Sequence, residues 1–90
     1  MARIAIRLII RGYVQGVGYR WWARGEARRL GVDGWVGNRS DGTVELIAAG
    51  PPAAVQQFEA ACRRGPAAAR VVAVERSAAD DPGAAGFESR

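Results

Sequence analysis

The spacing of apolar residues changes within the first third of the sequence, and this change limits the folds that the chain can adopt. Over residues 3–11, isoleucine and leucine occupy the even positions and mostly arginine or alanine the odd ones, as in a strand with one buried face. From Tyr19 to Leu30 the apolar residues recur at helical spacing instead. The stretch that joins them, GYVQGVGYR at residues 12–20, contains three glycines. The sequence therefore predicts a strand, a glycine-rich loop and a helix in succession.

The rest of the sequence predicts a second helix and further strands. Asp41-Gly42 is a hairpin turn signal, and Pro51-Pro52 suits the first turn of a helix. The expected elements beyond Leu30 are a strand over residues 32–38, its hairpin partner over 43–49, a helix that ends at Gly65-Pro66, a strand over 70–76, a loop over 77–86 and a short last strand at 87–88.

This order of elements, β-α-β-β-α-β with a further short strand, defines the expected fold class. It is typical of the α+β split βαβ sandwich, or ferredoxin-like fold, in which two helices cover one face of an antiparallel sheet. Ninety residues, 49% of them apolar, are enough for a modest core. We therefore expect one domain over residues 1–90. The fold alone assigns no function.

The composition excludes several kinds of chemistry. All thirteen basic side chains are arginine, so lysine and histidine chemistry are absent, and the net charge of +4 favours anionic partners without selecting one. Cys62 is the only cysteine, which excludes an internal disulfide and fits a reduced, cytoplasmic setting. Arg3, Arg7 and Arg11 interrupt the first apolar stretch, so we expect no signal peptide. No run approaches the roughly 20 apolar residues of a membrane helix.

The glycine-rich loop is suited to hold a phosphate-sized anion. Glycine lets the main chain take positive φ and approach a ligand closely. The first turn of the following helix adds free N–H donors and the positive end of the helix dipole. Arg20, at the end of the loop, can add a planar, bidentate and permanently charged clamp, and the loop contains no carboxylate that would compete for it.

The same loop lacks a side chain that could attack a substrate. It contains no Ser, Cys, Asp, Glu or His, and Val14 lies six residues before Arg20, where phosphocysteine-forming phosphatases have their cysteine. A covalent phosphoenzyme is therefore not expected, and no His or carboxylate cluster indicates a metal. Water is then the attacking group, which requires a substrate with a good leaving group. A mixed carboxylic–phosphoric anhydride fits this requirement.

Two motifs resemble the signatures of the acylphosphatase family. GYVQGVGYR matches the form G-x-V-Q-G-V-x-(Phe/Tyr)-R, and GWVGNRSDGTVELIAAG at residues 34–50 resembles the second signature. The residues of the second motif at the expected spacings are Gly34, Trp35, Val36, Asn38, Gly42, Val44 and Gly50. Leu30-Gly31 and Gly86-Phe87-Glu88 are also similar to the family, so the resemblance covers essentially the whole chain.

The resemblance implies hydrolysis of the carboxyl–phosphate anhydride of small acyl phosphates, giving a carboxylate and inorganic phosphate without a metal or organic cofactor. By the family's motif, Arg20 binds the substrate phosphate and Asn38 orients the attacking water. The phosphoryl oxygens are expected on the amides of Gln15, Gly16, Val17, Gly18, Tyr19 and Arg20. For Gln15 only the main-chain amide is assigned, since its side chain could simply brace the loop. The expected partners are an acyl phosphate, and phosphate or a similar anion in the loop. We expect a cytoplasmic monomer with no nucleic-acid or membrane partner.

Three features depart from the family's pattern. Gly37 stands where the family more often has a longer or basic residue, and Gly25 lies within the first helix. Residues 87–90 lack the final aromatic or apolar residues that are common in the family, which places the last strand in question.

We interpret most of the aromatic residues near the loop as packing residues. Tyr19 and Trp35 are expected in packing positions. Trp21 and Trp22 are adjacent and cannot both face the sheet, so one of them is expected to be partly exposed near the loop. There it could stack on an aromatic acyl group, although simple packing is favoured.

Two other functions are compatible with this fold. The first is an RNA-recognition module, because Arg11-Gly12-Tyr13 is similar to the start of an RNP1 motif. That similarity fails at Val14 and Gln15, and the predicted open face has arginines but no stacking aromatics. The second is a domain that binds anions without turnover, as in acylphosphatase-like domains of larger proteins. A 90-residue chain favours the free-standing enzyme.

Overall fold

The computed structural model describes residues 2–90 and contains two helices and five strands. In chain order they are β1 (Ile4–Tyr13), α1 (Tyr19–Leu30), β2 (Asp33–Asn38), β3 (Val44–Gly50), α2 (Pro52–Arg64), β4 (Arg70–Ala78) and β5 (Phe87–Ser89). This order confirms the predicted fold class. β1 and β4 each continue two residues beyond the predicted end, because they pair with each other from Ile6↔Ala78 to Tyr13↔Arg70.

The sheet order is β4-β1-β3-β2-β5, and the sheet is mixed, not purely antiparallel as predicted. β1 runs antiparallel to β3 and β4, and β3 runs antiparallel to β2, whereas β5 is parallel to β2. The cause is topological, since β4 and β5 lie at opposite edges of the sheet. Residues 79–86 connect these edges and reverse the chain direction once, which aligns β5 with β1 and therefore with β2.

The core lies between the two helices and one face of the sheet. Alternate residues of β1 are buried in it, as the sequence pattern predicted: Ile6, Leu8 and Ile10. Arg7 and Arg11 are exposed. Each fully buried side chain of this kind stabilises the fold by about 1.5–3 kcal/mol. The first strand is therefore anchored by its apolar face, which holds the loop that follows it in a defined position.

Two aromatic residues connect elements that are distant in sequence. The Tyr19 hydroxyl donates a hydrogen bond to the carbonyl oxygen of Cys62 at 2.7 Å, which joins α1 to α2. The rings of Phe58 and Phe87 meet edge to face with centroids 5.5 Å apart, which joins α2 to β5. Through Phe87, the three-residue strand β5 is fixed to the core.

We predict that Gly25→Ala stabilises the protein. Gly25 lies in the interior of α1, and a Cβ built on it would meet no other atom within 4 Å. Because glycine costs a helix interior about 0.5–1 kcal/mol relative to alanine, urea denaturation should show a gain of that size in the free energy of unfolding.

Gly31→Ala is the matched control for this substitution. Gly31 ends the same helix at a φ of 73°, in the left-handed region where a Cβ is strained. Alanine at this position should lower the free energy of unfolding. If both substitutions changed the free energy of unfolding equally, helix propensity alone would not explain the effect at Gly25.

Candidate active site

The loop between β1 and α1 presents a set of unpaired main-chain N–H groups. Gly16 has a φ of 74° and Gly18 a φ of 80°, which residues with a Cβ rarely adopt. A Cβ at either position would meet nothing within 4 Å, so the main-chain conformation and not the available space requires glycine. The N–H groups of residues 15–20 donate no hydrogen bond to the part of the chain that the structure describes. The loop is therefore free to donate to a ligand.

The first turn of α1 adds a positive electrostatic end to this loop. Gly18 is the N-cap residue, no side chain caps the free N–H groups, and the first turn contains no acidic residue. The N–H of Trp22 bonds to the Gly18 carbonyl oxygen at 3.0 Å, which closes the first helical turn. Free N–H groups at the positive end of a helix dipole favour an anion at this position.

Arg20 and Asn38 meet the loop at one small cavity of about 190 Å³. Its lining residues are Val14, Gly16, Gly18, Tyr19, Arg20, Trp21, Asn38 and Ser89. Arg20 is half-buried, and its Nη1 donates a hydrogen bond to the main-chain oxygen of Arg90 at 2.5 Å. Asn38 is exposed and is the last residue of β2. The structure thus brings the two residues with predicted catalytic roles to one cavity.

Gln15 does not line the cavity, and its side chain instead joins the loop to the turn after β2. Its Nε2 donates hydrogen bonds to the carbonyl oxygens of Arg39 at 2.8 Å and Thr43 at 2.9 Å. Both protons of the amide group are therefore engaged. One side chain thus holds the glycine-rich loop against the strand end that carries Asn38.

The turn that Gln15 contacts is itself stabilised by Asp41. The Asp41 Oδ1 accepts hydrogen bonds from the Thr43 N–H at 3.0 Å and from the Thr43 hydroxyl at 2.6 Å. These hydrogen bonds favour the ionised carboxylate and lower the pKa of Asp41. The carbonyl groups that receive Gln15 thus belong to an ordered hairpin turn.

Two of the predicted loop residues direct their side chains into the protein. Tyr19 is buried, and its ring meets Trp22 edge to face at 5.4 Å between centroids. Burial is the main cause that raises the pKa of Tyr19, with its contact to Cys62 as a smaller one. Val17 packs half-buried against the core. What these two residues can offer to an anion is their main-chain N–H.

Three lining residues were not among the predicted site residues: Val14, Trp21 and Ser89. Trp21 is the exposed member of the tryptophan pair, with 77% of its surface accessible, and Trp22 packs against the core. Ser89 reaches the cavity through the pairing of β5 with β2, in which it lies opposite Val36. No local sequence signal marks Ser89, because its position depends on this long-range pairing.

The lining residues provide no base that would activate a nucleophile. Ser89 contributes a hydroxyl, but no His, Asp or Glu is among the residues that line the cavity. Cys62 is fully buried in the core, and burial raises the pKa of its thiol to about 12. Within residues 2–90, no three His, Cys, Asp or Glu side chains come together as metal ligands would. The cavity's own side chains can therefore bind an anion and orient a neutral nucleophile.

A separate groove of about 470 Å³ lies on the helix-free face of the sheet, between Arg7, Trp35 and Pro82. Trp35 is half-buried there, with the Arg90 guanidinium 4.5 Å from the ring centroid. The sequence predicted no stacking aromatic on this face, and Trp35 lies on it in a packed position, as predicted for this residue. Since Arg90 already covers one face of that ring, the groove does not resemble the open aromatic sheet of an RNA-recognition domain. Neither helix of residues 2–90 is long and apolar enough to span a membrane.

Comparisons with known proteins show the family. The acylphosphatase family model matches residues 6–89. The acylphosphatase of Nitrobacter hamburgensis is 54% identical over 88 residues, which are 98% of this chain and 85% of the relative. That of Acidiphilium cryptum is 48% identical over 87 residues, 97% of this chain and 96% of the relative. The crystal structure of acylphosphatase from Bacillus subtilis matches with a TM-score of 0.92 at 35% identity, over 97% of this chain and 98% of the other.

The chain therefore belongs to the acylphosphatase family. Its relatives are hydrolases that act on acyl phosphates, so the predicted family and enzyme class are confirmed. The RNA-recognition alternative is excluded as the family of this chain.

We predict that Asp41→Ala destabilises the protein more at neutral than at acid pH. Folding lowers the pKa of Asp41 from 3.8, so its hydrogen bonds add stability above that value. This stability is lost as the pH falls through the lower folded-state pKa. Urea denaturation of wild type and variant at about pH 7 and about pH 2.5 should give the larger difference at the higher pH.

Asp80→Ala serves as the matched control, because Asp80 is exposed and makes no hydrogen bond or ion pair with side chains in residues 2–90. Its effect on the free energy of unfolding should be smaller at about pH 7. An Asp41→Ala effect that is the same at both pH values would show that the Thr43 hydrogen bonds do not depend on the ionised carboxylate.

Proposed function

We propose that residues 15–20 bind the phosphoryl group of a small acyl phosphate and that Asn38 orients the water that hydrolyses it. The observation that carries this proposal is a single cavity lined at once by Gly16 and Gly18 of the loop, by Arg20 and by Asn38. The free N–H groups of the loop and the uncapped start of α1 support the binding of a dianionic group.

In this proposal the phosphoryl oxygens accept hydrogen bonds from the loop amides and from Arg20. A guanidinium has five N–H donors, and the Arg20 group makes one hydrogen bond within residues 2–90, to Arg90. The remaining donors are available for bidentate contact with phosphate. The bond to Arg90 connects the guanidinium to the residue that follows β5.

The reaction is a direct displacement at phosphorus. The Asn38 carboxamide holds the water, whose oxygen forms a bond to phosphorus as the bond between phosphorus and the acyl oxygen breaks. The carboxylate departs with the bonding electron pair. One proton of the water passes to a phosphoryl oxygen of the substrate, since the cavity lining contains no His, Asp or Glu to accept it. The catalytic contribution of the chain is positioning and charge neutralisation.

The same geometry supports three further parts of the proposal. Inorganic phosphate, the product, binds the same loop and inhibits competitively. All the residues to which we assign a role belong to this chain, and we propose that the protein acts as a monomer. A buried and unreactive Cys62 is compatible with a reduced compartment, and we propose a cytoplasmic location.

We predict that Arg20→Ala and Asn38→Ala each lower kcat/KM by about 10²–10³, because each removes a preorganised donor at the reacting group. Hydrolysis of benzoyl phosphate can be followed by ultraviolet absorbance in a buffer with a metal chelator. Arg20→Lys should restore part of the activity, since it keeps the charge but loses the planar fork. Circular dichroism and thermal denaturation establish that each variant is folded.

Arg64→Ala is the matched control, because Arg64 is exposed in the last turn of α2 and does not line the cavity. It should keep wild-type activity. If the folded wild type binds phosphate but does not hydrolyse benzoyl phosphate, the loop is an anion site without turnover, and the proposed mechanism is wrong. Dependence of kcat on an enzyme carboxylate would contradict proton transfer to the substrate.

We predict that Gln15→Leu lowers kcat by about tenfold while KM changes less. The substitution removes both hydrogen bonds that connect the loop to Arg39 and Thr43, so Asn38 is no longer held in register with the bound phosphoryl group. Small misplacement of a positioning group is costly in rate, whereas the loop amides that bind phosphate remain.

Gln57→Leu tests whether this effect is specific, because it makes the same change of side chain at an exposed residue of α2 that does not line the cavity. It should leave kcat and KM unchanged. A Gln15→Leu variant with a raised KM and an unchanged kcat would show that Gln15 acts on phosphate binding and not on the position of Asn38.

A further inference from the structure

A second groove continues from the cavity along α1. This α1–β5 groove has a volume of about 410 Å³ and is lined by Trp21, Arg24, Arg28, Phe87, Glu88 and Ser89. It shares Trp21 and Ser89 with the 190 Å³ cavity that holds the loop, Arg20 and Asn38. A substrate whose phosphoryl group lies in the cavity can therefore extend its acyl group past these two residues into the groove.

The two arginines that line this groove have no acidic partner within the described residues. Arg24 and Arg28 form no ion pair and donate no side-chain hydrogen bond within the described residues, although Arg29 of the same helix is paired with Glu26 at 3.1 Å. Arg24 and Arg28 are four residues apart, a spacing at which like charges on a helix repel. Glu88 also lines the groove, but it is 73% exposed and paired with Arg90 at 3.6 Å.

We infer that the α1–β5 groove is the binding site for the acyl group and that it favours acyl phosphates with a second anionic group. Trp21, exposed and at the junction of the two cavities, forms an apolar wall against the body of the acyl group. Arg24 and Arg28 then bind the distal anion, which removes their mutual repulsion. This inference rests on the proposed function, because it takes the cavity as the phosphoryl site.

The helix geometry defines the length of acyl group that suits the groove. With a rise of 1.5 Å per residue, the Cα atoms of Arg24 and Arg28 lie about 6 Å and about 12 Å along α1 from that of Arg20. The second anionic group should therefore be separated from the phosphate by several bonds. A rigid para-substituted benzoyl group spans such a distance and presents a ring to Trp21.

The test compares two acyl phosphates that differ only at this distal position, 4-carboxybenzoyl phosphate and 4-methylbenzoyl phosphate. Wild type should have the higher kcat/KM for the carboxylated substrate. In Arg24→Gln/Arg28→Gln the ratio of the two kcat/KM values should fall by about threefold to tenfold, the range expected for partly exposed charge pairs. Raising the ionic strength from about 0.01 M to about 1 M should lower the wild-type ratio as well, since the Debye length shortens from about 30 Å to about 3 Å.

Arg64→Gln is the matched control, because it removes an exposed helical arginine that does not line the groove. It should leave the ratio at the wild-type value. The ratio is the kcat/KM for the carboxylated substrate divided by that for the methylated one. A wild-type ratio of one or less, or a ratio that is the same in the double variant, overturns the inference while leaving the proposed function intact. If wild type hydrolyses neither substrate, the proposed function is overturned and the inference with it.

Discussion

The register of the three central strands determines where the candidate site can form. Val44 of β3 lies opposite Ile10 of β1 on one side and opposite Asn38 of β2 on the other. Neighbouring strands are about 4.8 Å apart, so Asn38 lies about 10 Å from Ile10. From Ile10, β1 continues for three residues to Tyr13 and then leads into the glycine-rich loop. A shift of one residue in either pairing would turn the alternating side chains of a strand to the opposite face. The buried faces of β1 and β3 exclude such a shift, because their core residues would become exposed.

Hydrogen bonds convert this strand register into a site with a defined geometry. Gln15 connects the loop to the carbonyl groups of Arg39 and Thr43, and Asp41 orders the same turn through Thr43. The loop itself has no internal main-chain hydrogen bonds in residues 15–18. Its conformation consequently depends on its two glycines, on the start of α1 and on the Gln15 amide. Because none of these contacts uses the N–H groups of the loop, those groups stay unpaired and available to an anion.

The arginines of the sheet and three arginines of α1 differ in whether they have acidic partners. On the sheet, arginines are compensated by acidic neighbours, as Arg7 is by Glu45 and Arg11 is by Glu75. Along α1 the pattern differs, because Arg20, Arg24 and Arg28 lie four residues apart and form no ion pair within residues 2–90. Three arginines without an acidic partner in the described part of the chain are thus aligned along α1, where they line the cavity and the adjoining groove. A local field of this sign is favourable for the anionic substrate of the proposed function.

Local sequence features were sufficient for the elements and the family, and they also led to the proposal of Arg20 and Asn38 as site residues. The alternation in β1 and the helical spacing in α1 each follow from side-chain burial over a few consecutive residues, and the loop motif identifies Arg20 and the second motif Asn38. The parallel placement of β5, the contribution of Ser89 and the cover of Trp35 by Arg90 required the folded chain. Each depends on contacts between residues far apart in sequence, which no local period encodes. The role of the Gln15 side chain belongs to the same group, since its partners come together only when β1, β2 and β3 pair.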